Sequence, residues 1–232
     1  VMRRIAGAVW WALLPLAALD RWYTVALAWL ERRGPLSLTI AADGSVEACI
    51  GATRIKWQLA GSSLDPTDAG LADRVWSLDL PPPPAVVIFG AGPETALLIP
   101  LLRTTGWMTT VVERRERWTA VAQLADRVLN DTPTAALRQI EGVAFDAAVV
   151  MHHNFELDRE ALVELARQPI AFVGLLGPKR RCDDLFSVMP ARLHEALAPR
   201  LHSPVGLDIG GQGAEAIALS IAAQLHAWRH AK

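Results

Sequence analysis

The sequence predicts an α/β protein: a Rossmann-like, doubly wound parallel sheet preceded by a small, reduced α+β N-terminal domain. Three observations lead there. After four consecutive prolines at 81–84, short apolar runs alternate with segments of helical period. The first of those runs, 85–89, is continuously apolar, as a parallel strand covered on both faces requires. It ends in Gly90-Ala91-Gly92, the opening of a dinucleotide-type glycine turn. Alternation of this kind winds a right-handed sheet whose ligands sit at the carboxyl ends of the strands.

Composition sets the outer limits. The chain has 232 residues, 23 Lys+Arg against 24 Asp+Glu, and a formal net charge of −1. Hydrophobic residues make up 52%, enough for a core and too many for a disordered chain. The charge balance lacks the basic excess of a nucleic-acid binder, so no nucleic-acid partner is expected. Two cysteines, Cys49 and Cys182, support neither a disulfide framework nor a cysteine-only zinc site. The expected compartment is the reducing cytoplasm. The N-terminus complicates this, because Arg3-Arg4 precede an uncharged run at 5–19 that resembles the start of a signal peptide. The run is shorter than the roughly 20 residues of a spanning helix and lacks a clean small-x-small cleavage site. It is read as a buried or oligomer-facing helix, with Trp10-Trp11 as a candidate docking or dimer face.

Taken in order, 22–33 suits a helix stopped by Gly34-Pro35. Segments 36–40 and 46–50 read as strands joined by an Asp43-Gly44 turn, and 61–70 reads as loop. The prolines forbid helix and favour an extended spacer, which places the domain boundary between 1–84 and 85–232. Beyond it, 93–105 reads as a helix kinked at Pro100, and 108–112 as the second strand. A third strand is expected at 147–151, a helix at 158–167, a fourth strand at 170–173, and a final helix from about Ala214. That last helix carries Ile217, Ile221, Leu225 and Trp228 as its apolar stripe.

The strand ends carry the chemistry. Gly90 and Gly92 match the first two glycines of a dinucleotide turn, while Thr95 stands in place of the third and Glu94 adds a negative charge. Glu113, 23 residues after Gly90, stands where an acidic residue receives a ribose hydroxyl. His152-His153-Asn154 closes the third strand; adjacent strand residues face opposite ways, so the two histidines do not chelate one metal. One of them is expected to face the crevice. Gly174 and Gly177, followed by Lys179, Arg180 and Arg181, suit an anionic ligand such as a phosphate. Gly206-Leu207-Asp208-Ile209-Gly210-Gly211 leads into the last helix as an anion-receiving nest, or presents Asp208 to an amidine-like edge.

Four stretches in order, VVIFGAG, VVMHHNFELD, AFVGLLGPKRR and LHSPVGLDIGGQGAEAIALSIAAQL, resemble the Rossmann domain of the XdhC/CoxI family. These are xanthine dehydrogenase accessory proteins. The resemblance covers 85 to about 228 and implies a molybdenum-cofactor chaperone rather than a turnover enzyme, without catalytic residues or a resident metal. It implies binding of molybdopterin-type cofactor as cargo, support of its sulfuration, and delivery to a xanthine dehydrogenase or aldehyde oxidase type molybdenum hydroxylase. A cysteine desulfurase partner and a homodimer are further implications. By the same likeness Gly90, Gly92, His153, Asn154, Asp158, Gly174, Gly177, Lys179, Arg180, Gly206, Asp208 and Gly210 match family positions, with His152, Pro178 and Lys179 as departures. A glycine loop or the Lys179-Arg180 pair would take the phosphate, Asp208 or Glu113 the pterin edge, and His153 a metal-bound oxo group. The family's Gly-Gly-Cys-x-Glu and Cys-Gly-Gly elements are missing from the N-terminal part, which puts thiol-dependent handling in doubt. Two other readings stand beside this one. An NAD(P)-dependent oxidoreductase would use the same first βαβ unit, and a non-catalytic scaffold of a molybdoenzyme assembly would only contact partners.

Overall fold

The computed structural model describes residues 19–31, 34–41, 44–58 and 75–231, in two compact units that divide at Pro82/Pro83. The expectations for the run up to residue 18, for Trp10-Trp11 and for the loop at 61–70 lie outside the described residues.

The first unit holds α1 (Leu19–Leu30), β1 (Leu36–Ala41), β2 (Ser45–Ile50), β3 (Thr53–Gln58) and β4 (Val75–Leu80). The strands form an antiparallel sheet in the order β3-β2-β1-β4. Strict alternation in β2 sends Val46, Ala48 and Ile50 inward, where they meet Val25 and Ala28 of α1. The outward face pairs charges across strands: Glu47 lies 2.8 Å from both Arg54 and Lys56. Trp29 of α1 donates its indole N–H to the carbonyls of Leu80 and Pro81 at 3.3 and 3.2 Å. The helix begins three residues before the start that its apolar pattern suggests, and β3 and β4 are strands that the pattern does not announce.

The second unit is the parallel sheet. Its strands are β5 (Ala85–Phe89), β6 (Met108–Val112), β7 (Arg127–Leu129), β8 (Ala147–Val150), β9 (Phe172–Leu175) and β10 (Leu201–His202). All are parallel, in the order β10-β9-β8-β5-β6-β7. The chain leaves β5 to build one half of the sheet and returns to β8 to build the other, so a switch point opens between β5 and β8. Helices α2 (Pro93–Thr104), α3 (Thr119–Ala122) and α8 (Gly213–His230) contribute to the core on one face. The other face carries α4 (Pro133–Gln139), α5 (Phe155–Leu165), α6 (Lys179–Ser187) and α7 (Ala191–Leu197).

The pleat divides each central strand between two cores. Val87 and Phe89 join one apolar cluster, Val86 and Ile88 the other, and all four are fully buried. Each such side chain contributes roughly 1.5–3 kcal/mol by leaving water. This two-sided burial is why 85–89 reads as an unbroken apolar run. Two expected elements shift. The helix of 158–167 runs instead from Phe155 to Leu165, and the strand of 170–173 from Phe172 to Leu175. Among the described residues no helix is long and apolar enough to cross a membrane.

Candidate functional site

The carboxyl ends of β5, β6 and β8 meet at the switch point. Gly90 has φ +100°, and a Cβ there would stand 2.5 Å from the His152 Cα. Its glycine is required because two backbone loops cross, which no side chain permits. The Gly90 N–H donates to the Val112 carbonyl (2.9 Å), the Ala91 N–H to Glu113 Oε2 (2.8 Å), and the Gly92 N–H to Thr95 Oγ1 (3.1 Å). Residue 93 is proline and has no N–H. The amides of Gly90, Ala91 and Gly92 therefore already donate within the protein. Thr95, fully buried, replaces the third glycine by capping α2 with its hydroxyl.

Glu113 is not an open acceptor for a ribose or a pterin edge, contrary to the sequence expectation. Its side chain is buried, and Oε1 accepts from the backbone N–H and Nε of Arg115, both at 2.8 Å. Oε2 accepts from Arg115 Nη2 at 2.5 Å as well as from Ala91. Arg115 then reaches across the rim, donating to the carbonyls of His152 (2.9 Å) and Ala91 (3.4 Å). Burial raises the Glu113 pKa, but the hydrogen bonds from Arg115 and Ala91 outweigh it, so its carboxyl lies below the ordinary value. Arg115, to which no sequence motif points, holds three strand ends together.

After β8 the two histidines part. His152 is buried, and its Nδ1 and backbone N–H both lie 3.0 Å from Asp158 Oδ1. Asp158, fully buried on α5, also accepts from Arg181 Nη2 at 2.6 Å. His153 turns the other way, with φ +56° and a half-exposed ring whose Nε2 lies 3.6 Å from Glu94 Oε1. The exposed histidine is thus His153, presented by backbone in the left-handed region rather than by strand alternation. Asn154 caps α5, its Oδ1 accepting from the Leu157 N–H at 3.0 Å. A cap, not a ligand contact, accounts for its side chain.

Gly174 lies inside β9, where a Cβ would meet Val205 Cγ2 at 2.5 Å. It is a packing glycine, out of reach of a ligand at the strand end. Gly177 (φ +131°) makes room for the Arg181 stem, 2.6 Å from a Cβ built there. Of the three cations, Arg181 folds inward to Asp158, while Lys179 and Arg180 stay exposed in the first turn of α6. Asp208 and Gly210 lie exposed between β10 and α8. That segment is fastened to α8 by the Leu207 N–H on the Ser220 carbonyl (3.2 Å) and the Gly206 N–H on Gln224 Oε1 (2.6 Å). The structure thus joins Gly90, Gly92, Glu113, His153 and Glu94 at one point. No hydrogen bond or ion pair among the described residues joins Lys179, Arg180, Asp208 or Gly210 to them. Among the described residues no cluster of three His, Cys, Asp or Glu could hold a metal ion.

A parallel six-stranded sheet with this order and a glycine turn after its first strand defines a Rossmann-domain protein. Residues 86–225 match the family model of the XdhC Rossmann domain, and the chain belongs to that family. It is similar to a probable xanthine dehydrogenase subunit from Bacillus subtilis (strain 168), with 32% identity over 146 residues, 62% of this chain and 42% of that protein. It is also 35% identical over 118 residues to the uncharacterized protein YqeB of Escherichia coli (strain K12), a match that spans 46% of this chain and 22% of that one. A crystal structure of a xanthine dehydrogenase from Bacillus halodurans shares the fold with a TM-score of 0.67 at 24% identity, over 94% of this chain and 66% of that one. The chain spans less than half the length of the curated relatives it matches.

Proposed function

We propose that the chain is an accessory protein for a xanthine dehydrogenase or aldehyde oxidase type molybdenum hydroxylase. It would hold molybdenum cofactor as cargo at the carboxyl rim of the parallel sheet and pass it on for insertion, in the reducing cytoplasm. The observation that carries this reading is the state of the glycine turn in a chain of this family. The amides of Gly90, Ala91 and Gly92 are engaged by Val112, Glu113 and Thr95, and residue 93 is proline, so the turn keeps the Rossmann shape with few donors left for the pyrophosphate of a nicotinamide dinucleotide. NAD(P) binding, the competing reading, is left with a weaker phosphate grip.

The residues present fit a phosphorylated pterin in another way. Lys179 and Arg180 stand exposed at the start of α6, where the helix dipole adds to their attraction for a phosphate. His153 offers an exposed ring nitrogen at the switch point to the cofactor. The exposed Asp208 stands on the same rim, at the segment after β10. Sulfuration support with a cysteine desulfurase, and self-association as a homodimer, belong to the same reading and rest on the family resemblance alone.

The double substitution Lys179→Ala, Arg180→Ala tests the phosphate assignment. Cofactor retention should weaken by about tenfold or more and lose much of its salt dependence, as two charge-assisted contacts disappear. Unchanged retention at every salt concentration would contradict the assignment.

A further inference from the structure

Two carboxylates expected to accept from a pterin edge are Glu113, which Arg115 occupies, and Asp208, which stands in water. A third carboxylate fits better. Glu94, in the first turn of α2, has a side chain only 12% exposed, and its Oε2 is buried with no hydrogen-bond partner. That oxygen lies 2.8 Å from where a Cβ of Gly92 would stand, so the second glycine of the turn makes room for a carboxylate rather than for a phosphate. Oε1 faces His153 Nε2 at 3.6 Å, longer than a hydrogen bond. Buried acceptors are paired in nearly all folded proteins, and an exception at a ligand crevice points to a donor that arrives with the ligand.

We propose that Glu94 is the inner acceptor of the switch-point site and reads an amidine-type edge. Such an edge is a ring N–H beside an exocyclic NH2 on a planar heterocycle, as in a pterin or guanine ring. A carboxylate accepts such a pair of donors through both oxygens. Presenting both oxygens takes a change of side-chain rotamer that lifts the carboxylate from its seat over Gly92. The same charge repels a phosphate from the place a dinucleotide would put one. In a site removed from water, each of these effects exceeds its strength at the exposed Asp208. His153, beside Glu94, completes the edge contact with its exposed ring. This rests on the proposed role as a cofactor carrier, and it names the group that selects the pterin end of the cargo.

The test uses the full chain and free pterin, followed by its own fluorescence, with ADP as the anionic comparator. Wild type should bind pterin saturably in the micromolar to millimolar range. Glu94→Ala should weaken binding at least tenfold and Glu94→Gln by less, with thermal unfolding unchanged or higher. ADP should not bind the wild type. Pterin affinity equal in wild type and Glu94→Ala, or no pterin binding by the wild type, would overturn the assignment. Molybdenum cofactor is titrated in parallel against both proteins. Cofactor binding that is indifferent to Glu94 sinks the subsite and leaves the carrier role standing. Pterin binding that depends on Glu94, without any cofactor binding, keeps the subsite and sinks the carrier role.

Discussion

Arg115 links three segments of the rim: the Glu113 carboxylate and the carbonyls of Ala91 and His152. Its removal leaves a carboxylate 4% exposed without its cation. Arg115→Ala should therefore cost about 3 kcal/mol in urea unfolding, and a loss below about 1 kcal/mol would show the rim to be held otherwise. Glu113 also sets a pH dependence. Burial pushes its carboxyl up, Arg115 and Ala91 pull it further down, and its folded pKa ends below the ordinary 4.5. The stability it adds is complete above that ordinary value and is lost as pH falls through the lowered folded value. Unfolding midpoints from pH 7 to 3 should fall less steeply for Glu113→Gln than for wild type. His153, at φ +56°, is the other residue to test. Asparagine tolerates that backbone, so His153→Asn should stay within about 0.5 kcal/mol of wild type while cofactor retention drops. The position of Glu113 was legible from its spacing to the glycine turn. Its engagement was not, because nothing in the sequence says that Arg115, two residues on, folds back over it.

Among the elements, the ends mislead and the middles do not. The helix at 155–165 starts three residues before the expected place because Asn154 caps it, and the same asparagine invites reading as a ligand. Asn154→Ala should cost about 1 kcal/mol of stability, with Ser or Asp restoring it. Cofactor retention should follow stability; retention lost at wild-type stability would make Asn154 a ligand after all. The strand expected at 170–173 starts at Phe172, and Arg200 supplies the reason. Its guanidinium donates to the carbonyls of Gln168 (2.7 Å), Ile170 and Leu165 (2.9 Å), so this stretch is fastened to a side chain rather than to the ladder. Ile170 is buried, which gives it the look of a strand residue. β7 and β10, three and two residues long, fall below the length at which periodicity carries a signal. The long, two-sided strands β5 and β6 were legible in full.

At the scale of the molecule, the two units have separate cores. The parallel sheet is flanked by two apolar clusters of its own, and the antiparallel sheet packs on α1 through Val25, Ala28 and their partners. A fragment of residues 83–232 should therefore unfold cooperatively by circular dichroism, and a fragment without a transition would contradict that division. The second unit was legible because α/β alternation repeats one pattern several times. The first was only half legible: β3 alternates Arg54 and Lys56 with Ile55 and Trp57, too short an alternation to stand out without its partner strand.

On the proposed reading, this Rossmann rim has exchanged a dinucleotide grip for a pterin-cofactor site. The most direct measurement is anaerobic titration of the purified protein with molybdenum cofactor, NADH and NADPH, each followed by ligand fluorescence. Saturable retention of molybdenum cofactor and no binding of either nicotinamide are expected. Binding of NADH or NADPH with no retention of molybdenum cofactor would contradict it.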